Sequence, residues 1–338
     1  MAKIRHPGDR LLETFVASMQ TLKPTVGMRA GHMRIEPNTT WVNVNGTQIA
    51  YDQHGSANDP VILLIHGVAM TAWPMAMVEQ LAQAGFQVLR MDNRDTGQSQ
   101  KFDHLQLPNM RWQLIKHKIG LKVAAPYPLT DLMKDTVGVL DALNIDAVHV
   151  VGASMGGMVA QLLAINAPGR VKSLTSIMSH SGKRGLPGPS KTVTRHLLST
   201  PNSGSAADRQ AYHVKTRWLI GSPKYPASAA DITRDVCDQL DRGICTRGGA
   251  RQVLAILAAE SRVPKLRALR VPSQIIHGED DPLIPAAGGI STQDAIHNAR
   301  LHLIAGMGHD LPEQLHNKIC KFIVELANTS EKKFQTAS

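Results

Sequence analysis

A serine framed by glycines, directly after an apolar run, is the feature of this chain that most restricts how it can fold. The stretch 148–164 reads VHVVGASMGGMVAQLLA, so Gly152 and Gly156 flank Ser154 at two residues on either side. The β-branched residues before the serine predict a buried strand, and the residues after it predict a helix. A sharp turn from strand to helix strains the serine backbone and brings the helix close to the sheet, which requires small neighbours. The stretch therefore predicts a strand–turn–helix unit that presents Ser154 as a nucleophile.

Apolar runs of strand length alternate with helix-spaced segments over most of the chain. Strands are predicted at 41–55, as a hairpin about Asn45-Gly46, and at 61–67, 86–92, 147–152, 171–179, 273–278 and 300–306. Helices are predicted at 75–84, 130–143, 155–166, 287–298 and 312–327, the second with Thr130 as its cap. Alternation of this kind gives parallel strands joined by crossover helices. The predicted fold class is therefore α/β, with a mostly parallel, doubly wound sheet that begins with an antiparallel hairpin.

The alternation stops between residues 181 and 270. A Gly- and Pro-rich exit is followed there by helical pieces without strands, which predicts an inserted helical cap over 181–270. The core is then predicted to comprise 41–180 and 271–338, preceded by an N-terminal extension over 1–40. Within that extension, residues 9–22 place apolar side chains on one helical face. We expect this helix to dock on the body of the protein, with contact to a membrane surface as the alternative.

The positive charge of the chain is concentrated in the predicted cap. The formal net charge is +10, and the whole excess lies in 183–270, which contains sixteen Lys or Arg and six Asp or Glu. A segment without a dense basic run is typical of a solvated face rather than a nucleic-acid surface. Because basic and apolar residues interleave, as on helices with one buried face, we expect the charges to face solvent and the substrates to be neutral and apolar. No nucleic-acid partner is predicted.

The cysteines and the first residues of the chain indicate the cellular compartment of the protein. The three cysteines, Cys237, Cys245 and Cys320, form no CxxC pair and no even set, which argues against a disulfide framework. The first residues contain no apolar run of signal-peptide length, and no window reaches the length of a membrane-spanning helix. The sequence therefore predicts a cytoplasmic protein.

A histidine near the end of the chain is the candidate base for the serine. A nucleophilic serine needs a base and an acid that orients it. On a sheet that carries such a strand–turn–helix serine, these groups follow in the order acid, histidine. The stretch GMGHDLP places His309 on a Gly-rich turn after the last predicted strand, at the sheet edge where α/β proteins carry their sites.

The candidate acid ends the strand before that histidine. The stretch HGEDDPLIP offers Glu279, Asp280 and Asp281, whereas 171–207 contains no Asp or Glu and excludes an acid after the earlier strand. We choose Asp281 over Asp280 because of its spacing within the turn, three residues after Gly278.

Two backbone N–H groups are the candidate donors to the oxyanion that forms when a serine attacks a carbonyl. One belongs to Met155, which follows the serine and begins a helix whose dipole favours negative charge. The other is expected in the loop after the first parallel strand, where His66-Gly67 turns the chain and Val68 follows. The predicted oxyanion hole is therefore formed by Val68 and Met155.

Five motifs together resemble the α/β-hydrolase fold family over about residues 41–327. The stretches HGVAM, DNRDTGQS, GASMGGM, HGEDDPLIP and GMGHDLP stand in the order of that family. In DNRDTGQS, Asp95 replaces the usual glycine, a departure shared with bacterial hydrolases similar to aclacinomycin methylesterase and proline iminopeptidase. The resemblance implies Ser154, His309 and Asp281 as the catalytic triad, Val68 and Met155 as oxyanion donors, and no metal or organic cofactor. Asp92 and Arg94 are implied to brace the loop beside the pocket, and residues 1–40 lie outside the resemblance.

The expected activity is hydrolysis of a carboxylic ester of a small-to-medium apolar molecule through an acyl-enzyme. Apolar pieces at 71–77, 217–222 and 253–259 are expected to line the pocket under the cap. A serine nucleophile argues against epoxide hydrolase and haloalkane dehalogenase activity, which use a carboxylate. Hydrolysis of a C–C bond in a diketone and removal of a small N-terminal residue from peptides remain as enzyme alternatives. A ligand-binding protein with a slow triad is the alternative outside enzymes.

Overall fold

An eight-stranded sheet runs through the protein in the order β1-β2-β4-β3-β5-β6-β7-β8. The structure is a computed structural model and describes residues 38–68, 73–199 and 205–335. The strands are β1 Thr40–Val44, β2 Thr47–His54, β3 Val61–Ile65, β4 Gln87–Met91, β5 Val148–Ala153, β6 Val171–Ile177, β7 Ser273–Gly278 and β8 Arg300–Ile304. The helix predicted at 9–22 lies outside the described residues.

The first two strands form the predicted hairpin. Asn45 and Gly46 connect them with φ of 50° and 70°, the left-handed conformations that a two-residue hairpin turn requires. The strand β2 also pairs antiparallel with β4, and all later neighbours pair parallel. The prediction of a mostly parallel sheet with an antiparallel start is confirmed.

Helices cover both faces of the sheet. They are α1 Met75–Gln83, α2 Met110–Lys118, α3 Leu129–Ala142, α4 Met155–Asn166, α5 Lys191–Leu197, α6 Ala206–Ile220, α7 Ala229–Arg242, α8 Thr246–Ala258, α9 Val263–Arg267, α10 Ala287–Ala295 and α11 His316–Gln335. Alternate residues of β3 point to opposite faces. Leu63 packs in the apolar cluster that contains α3 and α4, and Leu64 packs in the cluster that contains α1 and α11. The sheet is therefore doubly wound, as predicted. Within the described ranges, no helix combines the length and the apolar character needed to span a bilayer.

Three helical features differ from the sequence predictions. Helix α3 begins one residue early, with the extended Pro128 at its N-cap, so Thr130 lies inside the helix and does not cap it. The last helix is preceded by a 3₁₀ turn at Glu313–Leu315 and continues to Gln335. Helix α2 was not predicted, because its apolar residues lie on both its exposed and its half-buried sides and form no single apolar stripe in the sequence.

Five helices, α5 to α9, lie between β6 and β7, where the sequence predicts the inserted cap. Of the sixteen Lys and Arg residues in 183–270, twelve are exposed, in agreement with the expected solvent-facing charge. Arg242, Arg251 and Arg262 are buried instead. These three contact residues of the core, so part of the basic charge connects the insertion to the sheet.

Candidate active site

Ser154 lies on a strained turn between β5 and α4. Its φ of 55° and ψ of −119° are conformations that non-glycine residues rarely adopt. The Ser154 N–H donates to the carbonyl oxygen of Ile177 on the neighbouring strand β6, at 2.9 Å. The chain therefore turns abruptly at the carboxyl edge of the sheet, and the serine is held at the apex of the turn.

The glycines around Ser154 are required by close packing. A Cβ on Gly152 would lie 2.1 Å from the Gly156 carbonyl oxygen, and one on Gly156 would lie 2.0 Å from the carbonyl oxygen of Ile65 at the end of β3. A Cβ on Gly157 would lie 2.6 Å from Cβ of Ser179. Helix α4 thus touches the backbone of the strands, and side chains at these positions would push it away.

The structure brings the predicted serine, histidine and acid into direct contact. Ser154 Oγ lies 3.0 Å from His309 Nε2, and His309 Nδ1 lies 2.7 Å from Asp281 Oδ2. The three residues come from the loops after β5, β8 and β7, and all three are buried. The distances are those of hydrogen bonds, so a proton can pass from the serine to the imidazole.

Asp280 and Asp281 are adjacent in the turn after β7 and make different contacts. Asp281 Oδ1 accepts hydrogen bonds from the N–H groups of Leu283 and Ile284, at 2.9 and 2.8 Å. Burial by itself would raise the pKa of Asp281, but the charge of His309 and the hydrogen bonds to the carboxylate lower it below its usual range. Asp280 instead accepts from the Gly306 N–H at 2.9 Å.

Residues of the insertion hold the histidine loop. The His309 N–H donates to the carbonyl oxygen of Ile220 at 2.7 Å, and the Gly308 N–H donates to Ser222 Oγ at 2.9 Å. The Ser222 hydroxyl donates in turn to Asp310, whose pKa is raised by burial. No local pattern in the sequence marks Ser222, which lies 87 residues before His309 in the chain.

The predicted oxyanion donors lie at the same edge of the sheet. Met155 is the first residue of α4, where backbone N–H groups have no partner within the helix. Val68 follows the end of β3, and the tight contact of Gly156 with Ile65 brings this loop to the start of α4. That both N–H groups stabilise an oxyanion stays a prediction. The described residues contain no cluster of three side chains suited to a metal ion.

The sequence of this chain is similar to that of a known protein family. The family model for the alpha/beta hydrolase fold matches residues 60–218 of this chain. The chain has the α/β-hydrolase fold. The same fold occurs in the enol-lactonase from Burkholderia xenovorans LB400, with a TM-score of 0.62 and 22% identity, over 86% of this chain and 100% of that one.

Two curated relatives cover most of this α/β hydrolase. Rhodomycin D methylesterase DauP of Streptomyces sp. strain C5 is 27% identical over an alignment of 296 residues, which covers 80% of this chain and 91% of that protein. A 2-hydroxy-6-oxononadienedioate/2-hydroxy-6-oxononatrienedioate hydrolase of Paraburkholderia xenovorans is 26% identical, over 82% of this chain and 90% of that protein.

The loop after β4 is braced by ion pairs. Arg94 makes a two-pronged contact with Asp135 of α3, through hydrogen bonds of 2.6 and 2.7 Å. Asp92 accepts from the Gln98 N–H at 2.8 Å and lies 3.2 Å from the guanidinium of Arg242 on α7. These contacts agree with the bracing role implied for Asp92 and Arg94, and they extend it to a residue of the insertion.

A buried ion pair missed by sequence analysis connects the same loop to α8. Asp95 occupies a left-handed conformation with φ of 72°, and its carboxylate accepts two hydrogen bonds from Arg251, at 2.8 and 2.6 Å. Tyr127 also donates to it at 2.7 Å. Burial would raise the pKa of Asp95, but these hydrogen bonds lower it. Next to the pair, a Cβ on Gly248 would lie 2.1 Å from the Asp95 carbonyl oxygen, so α8 packs directly on the loop.

Replacing Arg251 with methionine is expected to lower the free energy of unfolding by about 3–5 kcal/mol, because the Asp95 carboxylate remains buried without its partner. The double variant Asp95→Asn/Arg251→Met should recover part of this loss, since the amide carries no charge. Arg247→Met, an exposed change on the same helix, is the matched control. Urea unfolding measures all three variants. A loss below about 1 kcal/mol for Arg251→Met would mean that the pair does not hold α8 in place.

Proposed function

We propose that this α/β hydrolase cleaves a carboxylic ester by nucleophilic attack of Ser154, with His309 as base and Asp281 as the orienting acid. The observation that carries the proposal is the unbroken chain of contacts from Ser154 Oγ through the imidazole to Asp281. The strained turn at the serine adds support, since it presents Oγ away from the sheet.

The first half of the reaction forms an acyl-enzyme. Ser154 Oγ attacks the ester carbonyl carbon, and its proton passes to His309 Nε2. The ionised Asp281 accepts the hydrogen bond from Nδ1–H and stabilises the imidazolium. The N–H groups of Val68 and Met155 stabilise the negative oxygen of the tetrahedral intermediate. The intermediate collapses when His309 gives the proton to the leaving alcohol.

The second half releases the acid. Water takes the place of the alcohol and loses a proton to His309 Nε2 as it attacks the acyl carbonyl carbon. The second tetrahedral intermediate expels Ser154 Oγ, which regains its proton from the imidazolium. The proposed chemistry is complete with these side chains and water and uses no metal or organic cofactor.

The substrate class is an ester with a small alcohol on an apolar acid. The methylesterase relative supports an ester with a small leaving group. The insertion supports an apolar pocket, since the half-buried Trp218 and Leu219 on α6 directly precede the residues that hold the histidine loop. We infer that α5 to α9 act as a cap over this pocket.

A panel of p-nitrophenyl esters from acetate to palmitate tests the activity and the acyl length together. We expect turnover to peak at short or medium chains and to begin with a burst of p-nitrophenol close to one equivalent of enzyme. Mass spectrometry of the quenched enzyme should place the acyl group on the peptide that contains Ser154. Absence of turnover on every ester would favour a ligand-binding protein.

Hydrolysis of a C–C bond is the second candidate, because one relative is named for a 2-hydroxy-6-oxo-dienedioate substrate. This substrate class carries carboxylates, whereas the proposed ester is neutral. A direct comparison of kcat/KM for a 2-hydroxy-6-oxo-dienoic acid and for the preferred ester separates the two. A higher value for the dienoic acid would replace the ester proposal.

His277 is expected to position the acid. Its buried Nε2 lies 2.8 Å from the Ile284 carbonyl oxygen, which can only accept, and 3.5 Å from Asp281 Oδ2. The Nε2 atom therefore carries the proton and donates into the turn that holds Asp281. His277→Leu should lower kcat by about 10- to 100-fold with little change in KM, because the acid shifts. His277→Gln, which keeps a donor, should lose less. Equal losses in both variants would point to packing alone.

A further inference from the structure

Helix α2 presents apolar side chains to solvent instead of burying them. Trp112 is 50% exposed, Ile115 49% and Ile119 61%, and Leu121 shortly after the helix is 54% exposed. Ten large apolar side chains are exposed among the described residues, and these four lie within a stretch of ten residues. Trp112, Ile115 and Ile119 are spaced three and four residues apart, so they share one helical face. A concentration of this kind marks an interaction surface.

Polar contacts on the other side of the helix fix this orientation. Gln113 is buried and its side chain accepts from the Ala124 N–H at 2.8 Å. His117 Nδ1 lies 3.0 Å from the Leu257 carbonyl oxygen on α8, against which α2 packs. Asn109 caps the helix by accepting from the Trp112 N–H at 3.0 Å. The apolar residues therefore cannot turn inward without loss of the contacts that Gln113 and His117 make outside the helix.

Positive charges surround the apolar residues. Arg111, Lys118 and Lys122 are exposed, and Lys116 is half-buried. No Asp or Glu occurs in 104–130, so the segment carries no carboxylate to offset them. Apolar side chains ringed by Lys and Arg match the boundary of an anionic bilayer, where headgroups take the cations and acyl chains take the apolar residues. The charge thus favours a lipid surface over an apolar protein partner.

The position of α2 relates this surface to the active site. The connection from β4 to α3 leaves the carboxyl end of a parallel strand, and Ser154 lies at the carboxyl end of β5 in the same sheet. Helix α2 lies within that connection and packs on α8, which is joined to the loop after β4 through Arg251 and Asp95. The exposed face of α2 is therefore at the active-site edge of the molecule.

We propose that the face formed by Trp112, Ile115, Ile119 and Leu121, with Arg111, Lys118 and Lys122, docks the protein on the surface of an anionic lipid bilayer. The apolar side chains enter the boundary between headgroups and acyl chains, and the three cations contact lipid phosphates. Docking by this face does not depend on the proposed ester hydrolysis, because it is a property of the surface and not of Ser154.

The full chain is tested by sedimentation with vesicles of phosphatidylcholine alone and with vesicles in which about a third of the lipid is phosphatidylglycerol. We expect binding to the anionic vesicles to be at least about tenfold tighter. Trp112→Ser/Ile115→Ser/Ile119→Ser and Arg111→Gln/Lys118→Gln/Lys122→Gln should each weaken that binding by about tenfold or more. All six changes are at exposed positions, and thermal unfolding checks that the variants fold.

Two matched control variants test whether binding depends on this face or on exposed apolar and basic residues in general. Ile290→Ser/Leu303→Ser removes exposed apolar residues elsewhere, and Lys183→Gln/Arg184→Gln removes exposed cations of the insertion. Both controls should bind anionic vesicles as the wild type does. Equal binding of the wild type to neutral and anionic vesicles would overturn the proposal. Unchanged binding by the variant Trp112→Ser/Ile115→Ser/Ile119→Ser would overturn it as well. The proposal would also fail if the wild-type protein were a dimer and this triple serine variant were a monomer, since the face would then bind a second copy of the chain.

Discussion

Ser154→Ala is expected to lower kcat/KM for the preferred ester by about 10⁴- to 10⁶-fold, with the fold unchanged. The alanine side chain is smaller than serine, so the close approach of α4 to the strands is preserved. The loss comes from removal of the attacking oxygen, which no neighbouring group can replace at the same place. The burst of p-nitrophenol and the acylated peptide should both disappear.

Ser179→Ala is the matched control for this variant. Ser179 is buried, lies against Gly157, and its hydroxyl has no hydrogen-bond partner in the described part of the chain. Its replacement should leave kcat/KM near the wild-type value. If Ser154→Ala kept activity within about tenfold of wild type, Ser154 would not be the nucleophile.

Asp281→Asn is expected to lower kcat by about 10⁴-fold, whereas Asp280→Asn should have a small effect. The N–H groups of Leu283 and Ile284 will hold the amide oxygen at the Oδ1 position, which turns the NH₂ group toward His309. The imidazole must then accept at Nδ1 and carry its proton on Nε2. In that tautomer Nε2 cannot take the proton of Ser154.

Asp280→Asn is the control for Asp281→Asn, because it makes the same chemical change at the neighbouring residue. Asp280 accepts a single backbone hydrogen bond, from Gly306, and an asparagine oxygen can accept it as well. Kinetics of the two variants on the same ester compare them directly. A larger loss in Asp280→Asn than in Asp281→Asn would contradict the assignment of the acid.

The sheet and the group formed by Ser154, Asp281 and His309 were predictable because the elements that place them are each encoded locally. The strand β7 was predicted with its observed ends at Ser273 and Gly278, since a short apolar run between turn residues marks a buried strand. The parallel order then brings the loops after β5, β7 and β8 to one edge, whatever the lengths between them. Thus the strand ends, the expected order of acid and histidine, and the spacing within the acidic turn together predicted that residues 154, 281 and 309 lie close to one another.

The contacts between the insertion and the core were not predictable. Arg251 meets Asp95 across 156 residues, and nothing near either residue marks the pair. Asp95 lies at a position where the family usually has glycine, and its backbone is left-handed. Only the structure shows which contacts of its side chain offset the strain of that conformation. Helix α2 was missed because its apolar residues lie on both its exposed and its half-buried sides. A helix without a single apolar stripe lacks the periodicity that marks a helix in a sequence.

The sheet order also has a consequence for how the protein is made on the ribosome. Strand β6 ends at Ile177, and its next neighbour β7 begins only at Ser273, so the whole insertion must be synthesised before that edge is covered. Until then the growing chain carries an open parallel edge on which other unfinished chains can pair. Ser154 is already synthesised at that stage, but the acid and the base are not. Under the proposed mechanism the nascent enzyme therefore stays inert until its last strand has joined the sheet.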